Sequence, residues 1–231
     1  MHIVVGTSGG VFLGSGKPAN GLGEQITHQF AQDDGTLFAA AGDGVYRSRD
    51  SGASWTRSGV DTGEVWTVGV SPHVSGTLYA GTQPAHLFRS QDAGETWTEV
   101  STFVQAPGAE AWCVPNNPQG ARALAFAFDP FAPEHLWAGV EVGGVVASED
   151  GGSHWNARWI GPNADVHLLL AHPTRKGVLF ATTGYGRNDG NPSQPAMAGP
   201  YRSEDGGATW RYLGDGMTVH YTRPMCIDPR S

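Results

Sequence analysis

The sequence predicts an all-β chain, a β-propeller of four-stranded antiparallel blades, and three observations carry that prediction. One octet pattern, S-x-D-x-G-x-x-W, occurs as "SRDSGASW" from Ser48, "SQDAGETW" from Ser90, "SEDGGSHW" from Ser148 and "SEDGGATW" from Ser203. The steps between octets are 42, 58 and 55 residues, and a repeat near the shortest of these suits a blade of four short strands with added loops. The octets also share their flanks. Two β-rich runs precede each one, as in "GTLFAAAGDGVYRS" and "GTLYAGTQPAHLFRS", and before those stand "HQFAQDD", "WTVGVSP", "LAFAFDP" and "HLLLAHP". Each unit therefore reads as strand, turn, strand, loop, strand, octet, strand.

The ends extend the pattern. "MHIVVGTSGGVFLGS" matches the second and third strands of a blade, with a fourth weakly marked in "KPANGLGE", and "HYTRPMCIDPRS" matches a first strand. Pairing of the N- and C-terminal strands completes a shared blade, closes five blades and leaves no exposed sheet edge. The alternative is a fragment of a six- or seven-bladed propeller. Residues 1–231 read as a single domain, a length ample for one all-β core.

Composition limits the partners. The chain has 14 Lys and Arg against 22 Asp and Glu, a net charge of −8 with no basic block. Nucleic acid and anionic membranes both demand a positive footprint, so neither is an expected partner. The start lacks a basic n-region and a signal-length apolar run, and no stretch approaches a membrane span. The expectation is a soluble, cytoplasmic chain. Cys113 and Cys226 stand far apart, which suggests neither a disulfide scaffold nor a zinc site; Cys226 alternates with apolar neighbours and reads as core. No nucleophile elbow or zinc-protease motif occurs, and the "GTSGG" stretch at 6–10 is explained by its repeat position. Nothing in the sequence signals an oligomeric state.

Within the octet, Asp50, Asp92, Asp150 and Asp205 are expected to accept hydrogen bonds from backbone amides two residues on. The glycine two places later gives a left-handed turn position. Trp55, Trp97, Trp155 and Trp210 bury a ring whose N–H needs a partner. These residues read as structural. The octets resemble the Asp-box (BNR) repeat of sialidases, sortilin-type domains, glycoside hydrolases and photosystem assembly factors. The chain is similar to bacterial sialidase-like repeat proteins of unassigned activity. That resemblance implies a propeller without fixing an activity, because such folds host many functions.

Candidate functional residues emerge when the first strands are aligned on their closing Pro (or Asp34). Six positions earlier stand His28, Trp66, Leu124, His167 and Arg223; eight earlier stand Ile26, Glu64, Arg122, Asp165 and Tyr221. Farther along, Val68, Phe126, Leu169 and Met225 are apolar. Polar residues thus gather at the strand starts, the expected channel mouth, where His86 and Glu141 of nearby loops join them. Two long insertions, 101–120 and 184–199, read as lids or binding loops. His73 and His172 read as surface residues in turns.

Three functions fit. A glycoside-hydrolase-like enzyme needs an acid and a base or nucleophile. Glu64 and Asp165 are the candidates, with Tyr221 as a further catalytic candidate. His28, Trp66, Arg122, His167, Arg223, His86 and Glu141 would then bind a small-molecule or carbohydrate ligand. The Tyr221–Arg223 pair is similar to the nucleophile and arginine cluster of sialidases, but the F/Y-R-I-P segment is absent. Alternatively, the propeller is a non-catalytic module for a glycan, peptide or protein, with Trp66, Trp112 and Tyr221 stacking. A third reading is a metal-dependent hydrolase. No cofactor is otherwise expected, and in this reading a divalent ion in the channel is held by His28, His167, Glu64 and Asp165.

Overall fold

The structure, a computed structural model, describes residues 3–114, 120–160, 164–184, 197–218, 221–228 and 230. The chain packs as two compact units, Met1–Glu99 and Val100–Ser231. In the first unit, β1 (Val4–Thr7) and β2 (Gly10–Leu13) form a hairpin. β3 (Thr27–Asp33), β4 (Thr36–Ala41), β5 (Gly44–Ser48) and β6 (Thr56–Gly59) form one antiparallel meander. β7 (Glu64–Val70), β8 (Leu78–Gln83), β9 (Leu87–Ser90) and β10 (Thr98–Glu99) form a second. The second unit holds two more meanders. One is β11 (Ala123–Phe128), β12 (Leu136–Val140), β13 (Gly144–Ser148) and β14 (Asn156–Arg158). The other is β15 (Val166–Ala171), β16 (Leu179–Thr183), β17 (Gly199–Ser203) and β18 (Arg211–Tyr212). This is the all-β, propeller-type architecture that the repeat predicts.

Burial explains which strands were legible. β12 and β13 are buried along their whole length, and β4 and β8 nearly so, whereas β10 is exposed. Strand β4 feeds two cores by simple alternation. Ala39 and Ala41 join Val11, Tyr46 and Trp55, while Phe38 and Ala40 join Val65, Val68 and Leu78. In the second unit Trp137, Val145, Ile160, Leu169, Leu179 and Tyr201 form the core.

The ends depart from the expectation. Residues 221–228 form no strand, and among the described residues β1 pairs with β2 alone. Pro224 supplies the reason, since it removes a ladder donor from the middle of the segment. Cys226 is accordingly exposed rather than core. The stretch 17–24 makes isolated bridges, Phe12 to Pro18 and Asn20 to Ser54, instead of a fourth strand.

The octets are hairpin staples, but their chemistry differs from the expected Asp turn. The box serine is buried, and its hydroxyl accepts from the glycine N–H four residues on at 2.8–2.9 Å. The same hydroxyl donates to the Asp Oδ1 at 2.8–2.9 Å. The Asp accepts four residues on, not two. Its Oδ1 takes the N–H of Ser54, Thr96, His154 or Thr209, and Oδ2 takes that residue's side chain. The residue before the glycine is also left-handed, and Ser51 (φ 59°) and Ala93 (φ 56°) adopt that conformation without being glycine. Trp55 and Trp210 donate to the carbonyls of Gly52 and Gly207, whereas Trp97 and Trp155 Nε1 find no acceptor among the described residues. Octet carbonyls also tie neighbouring sheets together: Trp137 donates to Gly206 O at 2.8 Å and Ser58 to Gly94 O at 2.5 Å.

Two expectations follow. Ser90→Ala leaves the buried Gly94 N–H without its acceptor, which costs about 1–3 kcal/mol, measurable by urea unfolding. The carboxyls of Asp50, Asp92 and Asp150 are held at about 2, chiefly by the side-chain hydrogen bonds from Ser54, Thr96 and His154. Asp205 is lowered likewise by Thr209. The folded values lie below the unfolded ones, so this contribution is full above about pH 4 and is lost as pH falls toward 2. Melting temperatures recorded across that window should drop cooperatively with the octets intact.

The 101–120 insertion is a plug rather than a lid over its described part. Two short 3-10 helices, Phe103–Gln105 and Ala109–Ala111, seat a fully buried Phe103. Its ring meets Trp112 at 5.0 Å and the edge of octet Trp155 at 5.2 Å, while Thr102 donates to Gly152 O at 2.5 Å. Trp112 is therefore core and offers no open face to a ligand. Of the 184–199 insertion, residues 185–196 lie outside the described residues. His172 is buried at 2% exposure, not a surface residue, and its Nδ1 accepts from Thr174 N at 3.2 Å to close the turn. Among the described residues no helix is long and apolar enough to cross a membrane.

Candidate functional site

Every four-stranded sheet bulges at one position of its first strand. β3 shifts register between Thr27 and Gln29, β7 between Val65 and Thr67, β11 between Ala123 and Ala125, and β15 between Val166 and Leu168. The residues set off are His28, Trp66, Leu124 and His167, which fall in one column of the strand alignment. A bulge leaves its extra residue outside the ladder and re-aims the side chain. The residues in the Glu64 column stand at the strand starts: Glu64 opens β7, and Arg122 and Asp165 immediately precede β11 and β15.

In the first unit these bulges bring three candidates together. The rings of His28 and Trp66 stack at 3.9 Å and 23°, and His28 Nε2 lies 3.2 Å from Glu64 Oε1. Thr67 donates to the Gln29 side chain just below, linking β3 and β7. His86 is not part of this group. Its Nδ1 pairs with Glu99 Oε1 at 2.7 Å, on β10 at the opposite edge of the sheet from β7.

The second unit gathers six candidates. Backbone bonds hold the strand starts, Glu141 N donating to Arg122 O and Gly184 N to Asp165 O, both at 2.9 Å. Arg122 Nη1 donates to Glu141 Oε2 at 2.7 Å. His167 Nε2 stands 3.3 Å from Asp165 Oδ1 and 3.2 Å from the Tyr221 hydroxyl. Arg223 donates to that hydroxyl at 3.2 Å and lies over the Tyr221 ring at 5.6 Å. The segment carrying Tyr221 and Arg223 is anchored to β16, with Thr222 N donating to Thr183 O and Thr182 to Arg223 O. Asp165 and Glu141 are only 5% and 9% exposed.

Glu64 and Asp165 belong to different units, as do the members of the expected His28–His167–Glu64–Asp165 metal set. The metal-competent group among the described residues is instead Glu141, Asp165 and His167, whose donor atoms lie within 4.8 Å of one another. Sequence reasoning missed Gly184. A Cβ there would stand 2.4 Å from Asp165 Oδ2 and 2.5 Å from His167 Nε2, so glycine alone lets the cluster close.

Sheet order and strand register define the chain as a β-propeller protein bearing polar clusters at the starts of its first strands. No family model matches the chain. Among curated proteins it is 26% identical over 211 residues to a probable oligoxyloglucan-reducing end-specific xyloglucanase of Neosartorya fischeri, covering 82% of this chain and 22% of that protein. It is 28% identical over 162 residues to the corresponding xyloglucanase of Emericella nidulans, covering 62% of this chain and 18% of that one. The chain thus spans about a fifth of the length of these relatives. Among solved structures, the GH74 xyloglucanase from Xanthomonas campestris superposes with a TM-score of 0.64 at 19% identity, over 87% of this chain and 34% of its own. The YCF48 structure bound to D1 peptide gives 0.52 at 15% identity, over 94% of this chain and 79% of its own. At these identities the solved structures speak to the fold.

Proposed function

We propose that this propeller acts on carbohydrate, as part of a hydrolase for a xyloglucan-type glycan, and handles its substrate at the second-unit cluster. The observation that carries the reading is the buried carboxylate pair Asp165 and Glu141, ringed by His167, Arg122, Tyr221 and Arg223. Glycoside hydrolysis needs two carboxyl groups beside the scissile bond. Asp165 is the one set to work on the glycosidic oxygen, because Arg122 clamps Glu141 and fixes its orientation. Within the first unit by itself, the His28–Trp66 stack beside Glu64 offers an aromatic surface and an acceptor of the kind that holds a sugar ring. The xyloglucanase relatives support the substrate class.

A second reading, a glycan-holding module, is favoured by the Arg122–Glu141 bond, since a clamped carboxylate is better suited to recognition than to proton transfer. One experiment separates the two. Purified chain is incubated with xyloglucan oligosaccharides while new reducing ends are counted, and binding is followed by calorimetry. Turnover supports the hydrolase, binding without turnover supports the module, and neither would sink the carbohydrate reading.

A further inference from the structure

We infer that Glu141, Asp165 and His167 form a binding site for one divalent first-row cation, Mn2+ or Zn2+. The inference goes beyond the glycan reading and is tested without any glycan present; with the ion bound Asp165 is a ligand, so its proton-transfer role belongs to the metal-free chain. Three observations carry it.

The first is convergence. One donor atom from each residue lies within 4.8 Å of the others. Donors opposite one another on an octahedral ion with bonds of about 2.1 Å are roughly 4.2 Å apart, so small side-chain shifts suffice. The mixed imidazole and carboxylate set selects against Ca2+, which prefers an all-oxygen shell, and suits Mn2+ and Zn2+. The second is burial. Asp165 and Glu141 are at most 9% exposed and the His167 side chain 4%, and carboxylates removed from water are found paired or on a metal. The third is Gly184. A Cβ there would stand 2.4 Å from Asp165 Oδ2, 2.5 Å from His167 Nε2 and 2.8 Å from Tyr221 Cε2, so the glycine lets the two donor atoms approach a common point.

The surrounding groups are placed as supports. Arg122 occupies Oε2 of Glu141 and leaves Oε1 for the ion. Tyr221, held by Arg223, lies 3.2 Å from His167 Nε2, so its hydroxyl must give up that contact when Nε2 takes the ion. Hydrogen bonds around ligating side chains set ring orientation and metal affinity. Asp165 and His167 are two residues apart, the spacing that places side chains on one face of a strand.

The test is direct. Chain stripped with chelator and dialysed is titrated with Mn2+ and followed by electron paramagnetic resonance, with Zn2+ titrated by calorimetry. The expected result is one ion per chain. Affinity should fall at least tenfold in Glu141→Gln and in His167→Gln, and stay unchanged in Glu95→Gln, which alters an exposed surface ion pair with Arg47 and Arg49. Gly184→Ala, which fills the cradle, should also abolish binding. Circular dichroism and thermal melts verify that each variant is folded, and the two independent substitutions keep the site testable if one of them does not fold. Folded wild type that binds neither ion overturns the inference, as does binding that persists in Glu141→Gln and His167→Gln. Because no sugar is present, a negative result leaves the carbohydrate reading to its own assay.

Discussion

Phe103→Ala is expected to destabilise the protein by about 3–5 kcal/mol, the range for emptying a buried phenylalanine site. Phe103 is fully buried and touches two tryptophans, one from its own insertion and one from an octet. Removing the ring leaves Trp112 and Trp155 facing a void, and Trp155 N–H already has no acceptor among the described residues. Guanidinium unfolding monitored by tryptophan fluorescence reads the loss. A lid over a ligand site would behave oppositely, since truncating it would alter ligand affinity while stability barely moved. A change below about 1 kcal/mol would restore the lid reading of this insertion.

The second large effect concerns chemistry. Asp165→Asn keeps the shape of the side chain and removes its charge and its capacity for proton exchange. Turnover of xyloglucan oligosaccharides should fall roughly 10²–10⁴-fold, the usual contribution of a positioned acid or base. Glycan binding should change far less, because Arg122, Tyr221 and Arg223 remain. A fall in kcat with KM nearly constant is the signature sought. Wild-type kcat in Asp165→Asn would mean that this carboxylate only shapes the strand start.

The sheets were legible because the octet repeats and because strands such as β4, β8, β12 and β13 are buried along most of their length, which writes apolar runs into the sequence. Fourth strands were hard to see: β10 and β18 are two residues long and largely exposed. The C-terminal segment reads as a strand from its likeness to the other first strands, whereas Pro224 removes a ladder donor from its middle. His172 was misplaced because a polar residue in a turn suggests surface, whereas its ring closes the turn from inside. Alignment by strand end put His28, Trp66, Leu124 and His167 in one column without revealing the bulge they share. His, Trp, Leu and His share no chemistry; what they share is a slip in the backbone ladder. Gly184 left no side-chain signal at all, and its meaning comes only from the two groups it lies against.

The octet hydrogen bonds have a kinetic consequence. Ser48 reaches Gly52, and Asp50 reaches Ser54, so each staple closes within a few residues of itself. Contacts of such short span need little loop closure, and hairpin turns form in microseconds, well before distant strands can meet. The four turns can therefore form early and in parallel, each setting the register of its own hairpin. Ser90→Ala should then slow refolding more than it speeds unfolding, and the two arms of a chevron plot would display that asymmetry.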